Sequence, residues 1–166
     1  MRNMPLPSLR ARQAGVGLVE ILVAVLILGF GLLGVAAMQS LALRNSQSSM
    51  ERSQAVIQSY AMIDAMRANA EQAKQGAYNM SALRCATPTD APAAADKGQS
   101  LAAADQAAWI RSLGASLGRK TSTCGQVKCT ATGLCEVTIQ WDDTRGTTAG
   151  GESGSDKSTH TLQAQL

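Results

Sequence analysis

Four cysteines, one histidine and a single acid inside a long apolar run are the residues of this chain with distinctive chemistry. The cysteines are Cys85, Cys124, Cys129 and Cys135. Thiols form disulfides in oxidising compartments, bind metals when closely paired near histidines, or act as nucleophiles beside a base. Four and five residues separate the last three cysteines, not the two of a zinc pair, and His160 is the lone histidine. No metal and no cofactor is expected. A Ser/His/Asp or Cys/His site would have to use His160, which lies on a strand-like stretch near the C-terminus, so no catalytic residue is assigned and no enzyme is expected. Ala149-Gly150-Gly151 leads into further loop with no helix behind it, which excludes a phosphate cradle. Asp142-Asp143 reads as a solvated strand end. Cys129 and Cys135 flank a candidate hairpin turn. That favours their bond among the three connectivities that four cysteines allow, and leaves Cys85 for Cys124. Each closure stabilises by about 2–4 kcal/mol.

Glu20 poses a different problem. It is the one charge in the 23 residues Val16–Met38. As a helix this run reaches about 34 Å, enough to cross a hydrocarbon core of about 30 Å. A carboxylate at mid-depth costs about 2.5–3.5 kcal/mol, so Glu20 needs a cationic partner. Residues 1–15 hold Arg2, Arg10 and Arg12 and no acid. That asymmetry predicts an N-inside span, with the rest of the chain across the membrane. A cleavable signal peptide has a shorter apolar stretch of about 7–15 residues. A plain signal anchor fits the length but leaves Glu20 without a purpose.

Gly15-Val16-Gly17-Leu18-Val19-Glu20, followed by Ile21-Leu22-Val23-Ala24, resembles the class III signal of type IV prepilins and type II secretion pseudopilins. The resemblance implies that a peptidase cuts between Gly15 and Val16 on the cytoplasmic side, and that the nitrogen of Val16 is methylated. Glu20 is then the fifth residue of the mature chain, as in the family, although Val stands where Phe or Met is usual. Its implied role is to neutralise the terminal amine of a neighbouring subunit during filament assembly. Residues 60–69, YAMIDAMRAN, and 136–145, EVTIQWDDTR, are similar to PilV-type minor pilins. The implied function is a structural subunit that primes or caps a type IV pilus used in adhesion and twitching motility. Its partners would be other minor and major pilins, the prepilin peptidase, the inner-membrane assembly platform and, before assembly, the lipid bilayer. The implied location is the inner membrane with a periplasmic head, then the pilus at the cell surface. The alternatives are a minor pseudopilin of a type II secretion system and a plain membrane-anchored periplasmic binding domain.

The elements that must position these residues follow from pattern. The 166 residues suffice for an anchor and one modest domain. Hydrophobic residues are 45 %, but 28 are alanines and aromatics are 3 %, which predicts a thin core. The net charge of +3 resides in the three N-terminal arginines, and the remainder is neutral. Arg119, Lys120 and Lys128 make a small basic cluster without interleaved aromatics, so a nucleic-acid partner is not expected.

Residues 40–75 contain no Pro or Gly and predict a continuing helix, with Val56, Tyr60, Ile63, Met66 and Ala70 as its inner stripe. Gly76 is its stop signal. Asp64, Arg67 and Glu71 lie off that stripe, spaced to pair on a solvated face. Gly29, Gly31 and Gly34 permit close helix approach, and the family resemblance implies that they mark where this helix melts in a filament. Residues 84–100 read as loop. Residues 101–117 read as a short helix packed through Leu101, Ala104, Ala108, Ile110, Leu113 and Leu117, closed by Gly118, with Trp109 in the core. Residues 124–130, 134–141 and 158–166 read as antiparallel strands, the last two by strict alternation. The fold class is α+β, type IV pilin-like, a long N-terminal α-helix packed on a small antiparallel β-sheet. The expected division is a cleaved leader 1–15, an apolar helical half 16–43, a periplasmic half 44–76, and a globular head 77–166.

Overall fold

The computed structural model describes residues 17–86, 100–146, 154–155 and 157–166. Gly15 and Val16, the proposed processing junction, lie outside them. The chain forms two compact units, one through Ser40 and the other from Leu41 to Leu166.

Helix α1, Leu18–Ala68, runs through both. Its first turn closes on Gly17, whose carbonyl accepts from the N–H groups of Glu20 at 2.9 Å and Ile21 at 3.3 Å. Glu20 in the first turn and Arg67 in the last complement the helix dipole. The helix ends earlier than the absence of Pro and Gly predicts. Asn69 leaves helical geometry, its N–H donates to the Met66 carbonyl at 3.1 Å, and its side-chain amide donates to the Tyr78 hydroxyl at 3.3 Å. A competing side-chain bond is a break that propensity alone does not reveal. A further turn, α2 (Ala70–Lys74), follows. Gly76 then stops it, with φ +83°, the Gly76 N–H on the Ala73 carbonyl at 3.0 Å and the Ala77 N–H on the Gln72 carbonyl at 2.9 Å. This paired capping needs a left-handed residue, which glycine supplies without strain.

Strand β1 (Arg84–Cys85) interrupts what reads as loop from 84 to 100. It forms because Cys85 lies directly opposite Cys124 and the Ala86 N–H donates to the Thr123 carbonyl at 2.8 Å. Residues 87–99 are outside the described set. Helix α3 (Leu101–Leu117) starts on Ser100, whose hydroxyl accepts from the Ala103 N–H at 3.3 Å. Strands β2 (Cys124–Cys129), β3 (Leu134–Trp141) and β4 (Ser158–Gln165) complete an antiparallel sheet of order β1-β2-β3-β4. This is the α+β, pilin-like arrangement of one long N-terminal helix and a small antiparallel sheet.

The core lies wholly within the second unit. Val127, Cys135, Val137, Ile139 and Trp141 of the sheet join Ala55, Met62, Ile63 and Met66 of α1, Trp109, Ile110, Leu113 and Leu117 of α3, and Tyr78. On both helices the inner face is shifted from the predicted one, although Ile63, Met66, Trp109, Ile110, Leu113 and Leu117 are buried as expected. On α1 the face is Ala55, Ser59, Met62, Ile63 and Met66, while Tyr60 is 52 % exposed. Ser59 enters the core because its hydroxyl donates to the Ala55 carbonyl at 2.9 Å, which removes the cost of burying it. On α3 the face is Ala102, Gln106, Ala107, Trp109, Ile110, Leu113, Gly114 and Leu117, leaving Leu101 and Ala108 exposed. Two apolar stripes compete there, and the one carrying Trp109 buries more surface. Trp109 lies against Gly125 of β2, where a Cβ would come within 2.5 Å of its ring. Its Nε1 donates to the Gln58 carbonyl of α1 at 2.9 Å.

Candidate functional site

From residue 17 to residue 47 every side chain of the described chain is exposed. These include Leu18, Ile21, Leu22, Val25, Leu26, Phe30, Leu32, Leu33 and Met38, each 50 % or more exposed. Water does not tolerate so continuous an apolar surface, so another apolar phase or other helices must cover it. The most apolar stretch of α1 has a mean hydropathy of 2.8, and the helix is long enough to cross a membrane. Glu20 stands exposed in the first turn of this segment, its carboxylate one turn from the start of the described chain. Gly29, Gly31 and Gly34 are helical, and a Cβ at any of them would meet nothing within 4 Å. Gly31 and Gly34, three residues apart, therefore leave a shallow strip on one face, open to close approach by another helix, while Gly29 lies on a different face.

The second unit carries the remaining sequence candidates. Cys85 is bonded to Cys124 and Cys129 to Cys135, each pair directly opposite in the sheet register. The first ties edge strand β1 to β2, and the second closes the β2–β3 turn. Arg119, Lys120 and Lys128 do not act together as a patch. The Lys120 ammonium pairs with Asp142 at 2.9 Å, and Lys128 sits opposite Glu136.

Asp142 and Asp143 differ in kind. Asp142 accepts from Lys120 and from the hydroxyl and N–H of Thr144, at 2.7 and 3.0 Å, and these bonds hold its carboxyl well below the usual carboxylate range. Asp143, read from sequence as solvated, is 2 % exposed. Its Oδ2 accepts from Ser48 Oγ at 2.8 Å and lies 3.5 Å from the Arg52 guanidinium. The turn behind it is fixed by the Asp143 N–H on the Ser155 carbonyl and the Gly146 N–H on the Asp143 carbonyl, both 2.9 Å. A buried carboxylate is retained only when hydrogen-bonded and paired, and α1 supplies both partners. Nearby, Glu51 pairs with Arg145 at 2.8 Å; burial raises its pKa, against the opposing pull of that guanidinium.

Tyr78 forms the other polar knot. Its hydroxyl donates to Asp105 Oδ2 at 2.5 Å and accepts from Asn69. Burial first, then the bond to Asp105, pushes its pKa up to about 12. Sequence reasoning passed over Ser48, Arg52, Tyr78 and Asp105, because nothing in spacing links residues 27 or 95 positions apart.

The first unit is of another kind, an exposed apolar helix with one acid in its first turn. Residues 10–36 match the family model described as the prokaryotic N-terminal methylation motif. No curated protein and no solved structure matches the chain.

Proposed function

We propose that the chain is a minor pilin of a type IV pilus, PilV-like, processed as a class III prepilin. The carrying observation is that the methylation motif at residues 10–36 overlies the start of an apolar helix that the chain leaves uncovered. A motif of this kind indicates a structural subunit of the type IV pilin or pseudopilin class, handled by a prepilin peptidase and assembled with other pilins. In this reading residues 1–15 are the leader, and the peptidase cuts between Gly15 and Val16. Methylation then caps Val16. The apolar half, 16–43, holds the subunit in the inner membrane and later packs among the helices of the pilus. Residues 44–76 continue it into the periplasm, and 77–166 form the head. Glu20 neutralises the terminal amine of a neighbour, and Gly29, Gly31 and Gly34 allow the helix to approach others closely or to unwind.

The physical support is electrostatic. A carboxylate and an amine are each costly in an apolar bundle, and each offsets the other when they meet. One acid per subunit at a constant distance from the new terminus therefore sets the register between successive subunits.

The test is an intact mass with N-terminal fragmentation on protein from native membranes, followed by Glu20→Ala. A mature chain beginning at N-methyl Val16 is expected, and Glu20→Ala is expected to remain in the membrane while failing to enter filaments. A chain that retains its leader, or one cut near Ala37, would remove the prepilin reading. Deletion is expected to abolish surface pili and twitching. Intact pili with lost protein export would instead assign the chain to a type II secretion pseudopilus.

A further inference from the structure

The β3–β4 ladder ends at the pair Trp141 and Ser158, beside a half-enclosed cavity of about 390 Å³. Arg52 and Val56 of α1 form one wall, and Trp141, Ser158, Thr159 and His160 form the other. Two of these lining residues carry a buried ring nitrogen without a hydrogen-bond partner. One is Nε1 of Trp141, a residue 3 % exposed, and the other is Nε2 of His160. An indole N–H can only donate, so what it lacks is an acceptor. At the mouth, the Arg52 side chain is 68 % exposed and its one described contact is the 3.5 Å approach to Asp143. A guanidinium has five donors in a planar fork, so most of this one remains available.

The acids nearby leave most of the Arg52 donors free. Asp143 Oδ2 accepts from Ser48 and approaches a single Arg52 nitrogen at 3.5 Å, and Glu51 is paired with Arg145. Asp143 Oδ1 is also buried without a partner, but Asp143 is not part of the cavity wall. Among the described residues, the side chains on the cavity's side of the sheet are thus an arginine, an indole, an imidazole and the Ser158 hydroxyl, while Thr159, next along β4, points to the other face.

We propose that this cavity is a receptor for a carboxylate group. Arg52 binds it at the mouth through charge-assisted bonds, and the Trp141 N–H, the imidazole of His160 and the Ser158 hydroxyl orient it. The carboxylate is carried either by a small free acid or by an acidic side chain of a protein. The chemistry of recognition is the same for both. This inference is independent of the pilin reading, because it uses no residue of the first unit and no step of assembly.

The test uses the intact ¹⁵N-labelled chain in detergent micelles. The chain has two tryptophans, so two indole N–H signals report on it. Trp109 is the internal control, since its Nε1 is already bonded to the Gln58 carbonyl. Succinate and a blocked glutamyl dipeptide are the probes, each against matched sodium chloride. The expected result is a saturable shift of the Trp141 signal while Trp109 stays still. Arg52→Gln, at an exposed position, is expected to weaken binding about tenfold or more. Val56→Phe, which fills the cavity without touching a charge, is expected to block it. Tighter binding of the dipeptide assigns the carboxylate to a protein side chain, and tighter binding of succinate assigns it to a free acid. A Trp141 signal that neither probe moves overturns the proposal. So does a shift that persists unchanged in both variants.

Discussion

At the scale of single residues, three polar groups are held in the head by partners remote in sequence. Asp143 is bonded by Ser48, Trp109 by Gln58, and Tyr78 by Asp105 and Asn69. Tyr78 has a consequence in pH. Its folded pKa of about 12 lies above the ordinary value of 10.0, so the folded state holds the proton more tightly than the unfolded chain. The stability this confers is present in full below pH 10.0 and is lost as pH rises through about 12. Tyr78→Phe removes that linkage. We expect the wild-type chain to lose stability steeply over that alkaline window in denaturant melts, and Tyr78→Phe to lose distinctly less from its own lower starting point. Equal slopes in the two proteins would mean that the fold does not hold the Tyr78 proton more tightly than the unfolded chain does. Nothing local in the sequence announces these partnerships. The cysteines, by contrast, are legible at this scale, since Cys129 and Cys135 bracket a turn that the flanking strands already define.

Among elements, the strands are read well because alternation is an unambiguous signal. LCEVTIQW places Cys135, Val137, Ile139 and Trp141 on one face, and all four are buried. The helices are read well in extent and poorly in facing. Both contain many small residues, and a one-residue rotation of the stripe changes hydrophobicity little while exchanging Tyr60 for Ser59. Strand β1 was illegible because two residues have no pattern; it exists through Cys85–Cys124 and through pairing with β2.

The two disulfides therefore differ in weight. Cys85 and Cys124 are 39 residues apart and Cys129 and Cys135 are 6 apart. Loop-closure entropy assigns about 4 kcal/mol to the longer loop and about 2 kcal/mol to the shorter. Replacing Cys85 and Cys124 together with serine is expected to lower the denaturant midpoint more than replacing Cys129 and Cys135. It is also expected to expose the Ala86 amide to hydrogen exchange. The opposite order of midpoints would show that the short bond carries the sheet, through its contact with Met66 at 3.5 Å, rather than by entropy.

For the molecule as a whole, apolar surface is distributed in two incompatible ways. From Ser48 onward the described chain buries most of its large apolar side chains in one core; before it, no described residue is buried. The few aromatics of the composition are spent economically, with Tyr78, Trp109 and Trp141 all inside that core. A span of exposed leucine, isoleucine and valine adds nothing to the folding of the head, yet it dictates that the intact chain needs lipid, detergent or other helices. This separation predicts that a chain beginning at Leu41 is soluble without detergent and folds by itself. Its thermal midpoint is expected to lie within a few degrees of the intact protein's, because no buried contact has been removed. Its unfolding is expected to be cooperative, with the near-ultraviolet signals of Trp109 and Trp141 lost together. A truncated chain that aggregates, or that keeps helix while losing those aromatic signals, would mean that the apolar half of α1 stabilises the head. In that case the residues that pack a filament and the residues that fold a subunit would not be separable.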